Sequence, residues 1–175
     1  MMALLPDTNG MRARANPMAK DSSIPHPHDT HPLARFSHAE VRDRLSRLLK
    51  SRRDAIAAEV THNCVIPVDS EYSTDKRRQF AERAINAFCD LLDSGSLKTV
   101  DALAEEVAGP GGWAAADVQQ VLSGVARAVC PILTFSTAEE HGVLSEAVTV
   151  LAACTEIVTV RAAREFERAV NLEMV

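Results

Sequence analysis

The stretch Ser136–Val175, STAEEHGVLSEAVTVLAACTEIVTVRAAREFERAVNLEMV, decides the fold class. It opens on two overlapping capping boxes, Ser136 with Glu139 and Thr137 with Glu140. In such a box a hydroxyl and a carboxylate three residues apart satisfy each other's backbone N–H groups. No proline follows. Leu144, Val148, Leu151, Thr155, Val158, Ala162, Phe166 and Val170 recur at three- and four-residue intervals, the spacing of one helical stripe. Val143, Ala147, Val150, Cys154, Ile157 and Val160 widen that stripe almost all round. One long helix is expected here, placed centrally and covered by neighbours or by a partner chain. Glu146, Glu156 and Arg161 interrupt the apolar run. A membrane span needs ~20 predominantly apolar residues, so no membrane crossing is expected.

Working outward, the chain before this stretch divides into a tail and further helices. Residues 1–36 hold five of the eight prolines, with Asn9-Gly10 and Asp21-Ser22-Ser23 as turn chemistry, and read as a disordered tail. His26, His28 and His31 cluster there, but Pro25, Pro27 and Pro32 keep them extended, and no metal site is expected. Residues 37–175 are the domain. A first helix starts at the Ser37–Glu40 capping box, with Val41, Leu45, Leu48, Leu49, Ile56 and Val60 inward. Arg42, Arg44, Arg47, Lys50, Arg52 and Arg53 read as its solvated face. A connector over His62–Ser73 follows. A second helix begins near Thr74 or Asp75, buries Phe80, Ala84, Phe88, Leu91 and Leu92, and stops at Gly95. A third runs from Thr99 through Val100, Leu103 and Val107 to the Gly109-Pro110-Gly111-Gly112 turn. A fourth runs from about Ala114, with Val118, Val121, Leu122, Val125, Val129, Ile132 and Leu133 on one side. Pro131 removes a hydrogen bond to the Arg127 carbonyl, so a kink is expected. Such a kink could open a ligand pocket from Phe88, Val125, Cys130 and Pro131. The expected architecture is all-α, a bundle of about five helices.

Composition narrows the chemistry. Apolar residues make up 46% and aromatics 4%, so the core is aliphatic. The formal net charge of −5 offers no general attraction for phosphate backbones or anionic membranes. Cys64, Cys89, Cys130 and Cys154 form no C-x-x-C pair and read as reduced core thiols of a cytoplasmic protein. The Met1–Leu5 apolar run ends at Pro6-Asp7, short of a signal peptide. There is no G-x-S-x-G elbow, phosphate-binding glycine loop or H-E-x-x-H, and no enzyme activity is expected. Cys89 or Cys130 with His141 has nothing to orient it as a nucleophile pair. Residues 99–123 have the rhythm of a helix-turn-helix, which makes a DNA-binding regulator the alternative. Ala114–Ala126 carries no Lys or Arg, however, and only Gln119 and Gln120 as base readers.

From Ser37 onward the layout resembles the N-terminal domain of RsbR-type stress sensors, the RsbRD N-terminal family. Leu48-Leu49-Lys50-Ser51-Arg52-Arg53-Asp54-Ala55-Ile56 is similar to that family's L-L-x-x-R-R-x-x-I first-helix start. Phe80–Leu92, the acidic 101–106 stretch, Val118–Leu133 and the closing Arg164–Val170 segment resemble its later helices. The resemblance implies a globin-like, haem-free, dimeric sensor domain. Such domains precede an output module, a STAS domain or a histidine kinase, and signal along the last helix. No output module follows Val175, so a stand-alone sensor acting on a partner protein, or a module of something longer, is expected. The family's phosphorylated threonines lie in the output part, and none is carried over. Haem is the rival ligand, with His141 and His62 as its candidate ligands. No cofactor is expected.

Leu144, Val148, Leu151, Val158, Ala162, Phe166 and Val170 are the expected dimer or partner interface, joined about a two-fold axis. Each large aliphatic side chain buried there is worth ~1.5–3 kcal/mol. A charge at Val158 or Phe166 is expected to dissociate or unfold the dimer. A stable, monodisperse Val158→Asp dimer in light scattering would refute it.

Overall fold

A computed structural model describes residues 31–63, 73–109, 112–136 and 141–173. Five helices follow one another: α1 (Ala39–Asn63), α2 (Thr74–Ser94), α3 (Lys98–Ala108), α4 (Ala115–Ser136) and α5 (His141–Glu173). No strand occurs among the described residues. The fold is an all-α bundle with a long last helix.

The most enclosed helix is α2. Phe80, Ala81, Ala84, Ile85, Phe88, Leu91 and Leu92 are essentially inaccessible to water, and α2 touches all four other helices. Its ends follow from local chemistry. Ser73 Oγ accepts the Lys76 N–H at 3.2 Å, satisfying one of the donors a helix start leaves open. Gly95 closes the other end at φ 69°, where a side chain would be strained, and its N–H reaches the Leu91 carbonyl at 3.0 Å. Thr99 Oγ1 then donates to Asp90 Oδ2 at 2.9 Å, turning the chain into α3. Ahead of α4, Trp113 packs on Phe80, ring centroids 4.8 Å apart.

Several expectations need correction. Residues 31–36 belong to the bundle: they form a turn, and Leu33 is 0% exposed. Residues 1–30, including His26 and His28, lie outside the described residues. The Ser37–Glu40 capping box does not form. Ser37 Oγ has no hydrogen-bond partner, and the His38 N–H is taken instead by Glu146 Oε2 of α5 at 3.2 Å. A carboxylate from another helix has replaced the local cap. Arg42 is buried rather than solvated, with Nη1 donating to the Ser37 carbonyl at 2.7 Å. Ser136 ends α4 instead of starting α5, and Thr137–Glu140 lies outside the described residues. The connector's Cys64-Val65-Ile66 lies outside them too. Pro131 sits inside α4, which runs on for five residues beyond it.

A β-carbon built on Gly95 would lie 2.5 Å from Pro32 Cδ. The left-handed turn after α2 is thus also the seat of the N-terminal turn. Gly95→Ala is expected to cost about 1–3 kcal/mol from strain and overpacking, and Leu33→Ala about 2–5 kcal/mol from the cavity it leaves. Thermal unfolding by circular dichroism checks both. A chain starting at Ser37 should melt below one starting at His31, and equal melting would return residues 31–36 to the tail.

Candidate functional site

The candidate site is the surface of α5. By length and composition alone α5 could cross a membrane. In the bundle, though, Ala147, Val150, Leu151, Ala153, Cys154, Val158 and Ala162 are buried against the other helices. Beyond Ala162 no described side chain of α5 is fully buried, and Phe166 is the large apolar residue there that still packs against the core.

The stripe expected as the interface does not act as one face. Leu151, Val158 and Ala162 are 1%, 1% and 3% exposed, inside the chain's own core, and cannot dock a partner on this fold. Leu144 and Phe166 are half-buried, whereas Val148 and Val170 are 40% and 56% exposed. The reason is angular. At ~100° per residue the eight positions span a sector of ~120°, and the edge of the bundle runs through it. Val158 falls on the inner side and Val170 on the outer.

A different uncharged stripe lies wholly outward or at the margin: Val148, Ala152, Thr155, Thr159, Ala163, Phe166 and Val170. It runs ~33 Å along the helix at 1.5 Å per residue. Its two hydroxyls are spent within the helix. Thr155 Oγ1 donates to the Leu151 carbonyl at 3.0 Å and Thr159 Oγ1 to the Thr155 carbonyl at 2.8 Å. Both threonines can therefore be covered without leaving a donor unsatisfied. All four exposed large hydrophobics among the described residues, Val148, Val160, Val170 and Leu172, belong to this one helix.

Farther round α5 a groove of about 340 Å³ opens between the helix, the 31–36 turn and the start of α3. Phe36, Leu97, Ile157 and Val160 give it an apolar lining, and Arg35, Arg161, Arg164 and Glu156 a charged one. Arg161 Nη1 donates to Asp101 Oδ1 of α3 at 3.0 Å. Sequence reading missed this groove because Arg35 and Phe36 were assigned to the tail. The apolar Leu33 and Phe36 directly before the first helix were the available signal.

The expected kink pocket is absent from the described grooves. Phe88 and Val125 are core residues, Cys130 is half-buried and Pro131 exposed. The other two described grooves are smaller. One, of about 180 Å³, lies between Val60 and Gly124; the other, of about 90 Å³, lies between Leu48 and Leu133. His141 and His62 are both exposed, and neither lines any of the three. Burial pushes the Cys89 thiol up to about 11 and the Cys154 thiol up to about 12, so both stay protonated at neutral pH. No group of three or more His, Cys, Asp or Glu able to hold a metal occurs among the described residues. In the helix-turn-helix candidate, Gln119 is exposed, but Glu106 of α3 is occupied by Arg83 at 2.7 Å and no cation joins it on the first turns of α4.

Two ties hold α5 in place, Arg161–Asp101 and Glu146–His38. Burial raises the Glu146 carboxyl, but the His38 N–H and ring outweigh this and hold it below its ordinary value of 4.5. A lowered carboxylate contributes its full stabilisation above that ordinary value and loses it as pH falls through the lower folded one. Glu146→Gln should therefore melt below the parent chain at pH 7, and the gap should close as pH drops below 4.5. A gap that does not change with pH in thermal melts would remove Glu146 as the tie. No family model, curated protein or solved structure matches the chain, so the functional reading rests on this surface.

Proposed function

We propose that this chain is a non-enzymatic, cytoplasmic signalling module that pairs with a second copy, and relays to an output protein, through the outer stripe of α5. One observation carries the reading: a helix already buried on its inner face keeps an uncharged stripe of ~33 Å at the margin of the bundle, and beyond Ala162 none of its described side chains is fully buried. Apolar surface of that extent on one helix is the usual mark of an interaction site. The small side chains Ala152, Thr155, Thr159 and Ala163 at its middle permit close approach of a second helix. A two-fold pairing would set the stripe against itself, which needs no further complementarity. The RsbR-type resemblance supports the same reading, since its members dimerise and signal along their last helix. The acidic net charge and the lack of Lys and Arg in the first turns of α4, where Asp117 sits, give the DNA-binding alternative no support.

Light scattering on the size-exclusion peak tests this. The full chain should elute as a dimer. Val148→Glu and Val170→Glu should each give a monomer whose stability stays within about 0.5 kcal/mol of the parent, as substitutions at exposed positions do. Val158→Asp should unfold the chain instead, because it buries a charge. A monomeric parent, or glutamate variants that remain dimeric, would defeat the proposal.

A further inference from the structure

The groove beside α5 differs from the outer stripe in carrying charge. Three arginines, Arg35, Arg161 and Arg164, face one carboxylate, Glu156, around an apolar floor. Their states differ. Arg161 is fixed by Asp101 at 3.0 Å. Arg35 stacks its guanidinium carbon 4.5 Å from the centre of the Phe36 ring, an arrangement that holds the cation without neutralising it. Neither Arg35 nor Arg164 has a carboxylate within ion-pair distance among the described residues. Two cations without counter-ions among the described residues therefore border the apolar surface of Phe36, Leu97, Ile157 and Val160.

That combination selects a ligand chemistry. The volume of about 340 Å³ lies within the ~300–1,000 Å³ range of small-molecule sites. A neutral apolar molecule would cover the floor and leave the arginines unanswered. A bare inorganic anion would pair with the arginines and leave Ile157 and Val160 wet. A molecule with an apolar chain and an anionic head satisfies both, and the planar guanidinium fork matches a carboxylate. We infer that this groove binds an aliphatic carboxylate, its chain along Phe36, Leu97, Ile157 and Val160 and its head between Arg35 and Arg164. The inference goes beyond the dimer reading and is independent of it. The groove's apolar floor at Ile157 and Val160 lies ~100° or more round α5 from the centre of the outer stripe, and a monomer would carry it as well as a dimer.

The test titrates the full chain with decanoate, decanol and inorganic phosphate, read by calorimetry and by methyl NMR shifts. Decanoate should saturate at one per chain and shift Leu97, Ile157 and Val160. Decanol should bind about tenfold more weakly, the worth of a charge-assisted hydrogen bond. Phosphate should not displace decanoate. Arg35→Gln combined with Arg164→Gln, both exposed positions, should bring decanoate down to the decanol level. The oligomeric state of that variant should be unchanged, which separates this result from the dimer test. Absent saturation by decanoate, equal binding of decanoate and decanol, displacement by phosphate, or full affinity in the double variant would each overturn the assignment.

Discussion

The enclosure of α2 is the constraint on which the other helices depend. Phe80, Ile85, Phe88, Leu91 and Leu92 are fully withdrawn from water, and the alanines at 81, 84 and 87 between them let neighbouring helices come close. With aromatics at 4% of the chain, the core obtains its cohesion from many small aliphatic contacts rather than from a few large anchors. One aromatic pair, Phe80 with Trp113, packs at α2 beside the start of α4. Two polar groups in this interior find backbone partners: Cys89 Sγ lies 3.9 Å from the Ser46 carbonyl, and Arg42 reaches the Ser37 carbonyl.

Around that centre, α5 does three things with three sides of one helix. Its inner side closes the core through Val150, Leu151, Cys154 and Val158. One flank forms the wall of the groove with Ile157, Val160 and Arg164. Another flank, the stripe from Val148 to Val170, carries no charge. Glu146 on His38 and Arg161 on Asp101 fix the helix against α1 and α3. Arg161 belongs to both the tie and the groove, so a molecule seated there would touch one of the two contacts that position α5. This gives the groove and the outer side a physical connection through a single rigid element.

The positions at which local reasoning failed share a cause. The Ser37–Glu40 pattern is a sound cap, yet Glu146 supplies the acceptor from more than a hundred residues away. Arg42 looked like one cation among six on a basic face, but the 31–37 turn folds over it. The residues before Ser37 were assigned to the tail because their prolines and histidines outweighed Leu33 and Phe36. A buried side chain is defined by what covers it, and this turn is seated by Pro32 against the far end of α2 at Gly95.

The sequence by itself determined the helices: their number, most of their ends and the apolar sector each carries. Apolar spacing, the Gly95 stop and the glycine-rich turn at 109–112 act within a few residues and need no partner. The tertiary structure alone decided where the edge of the bundle cuts across α5, which cations are buried and where a groove opens. A helical stripe fixes an apolar sector but not its orientation. Whether Val158 or Val170 meets the core depends on how the other helices stack, and that is set by packing among residues far apart in the chain.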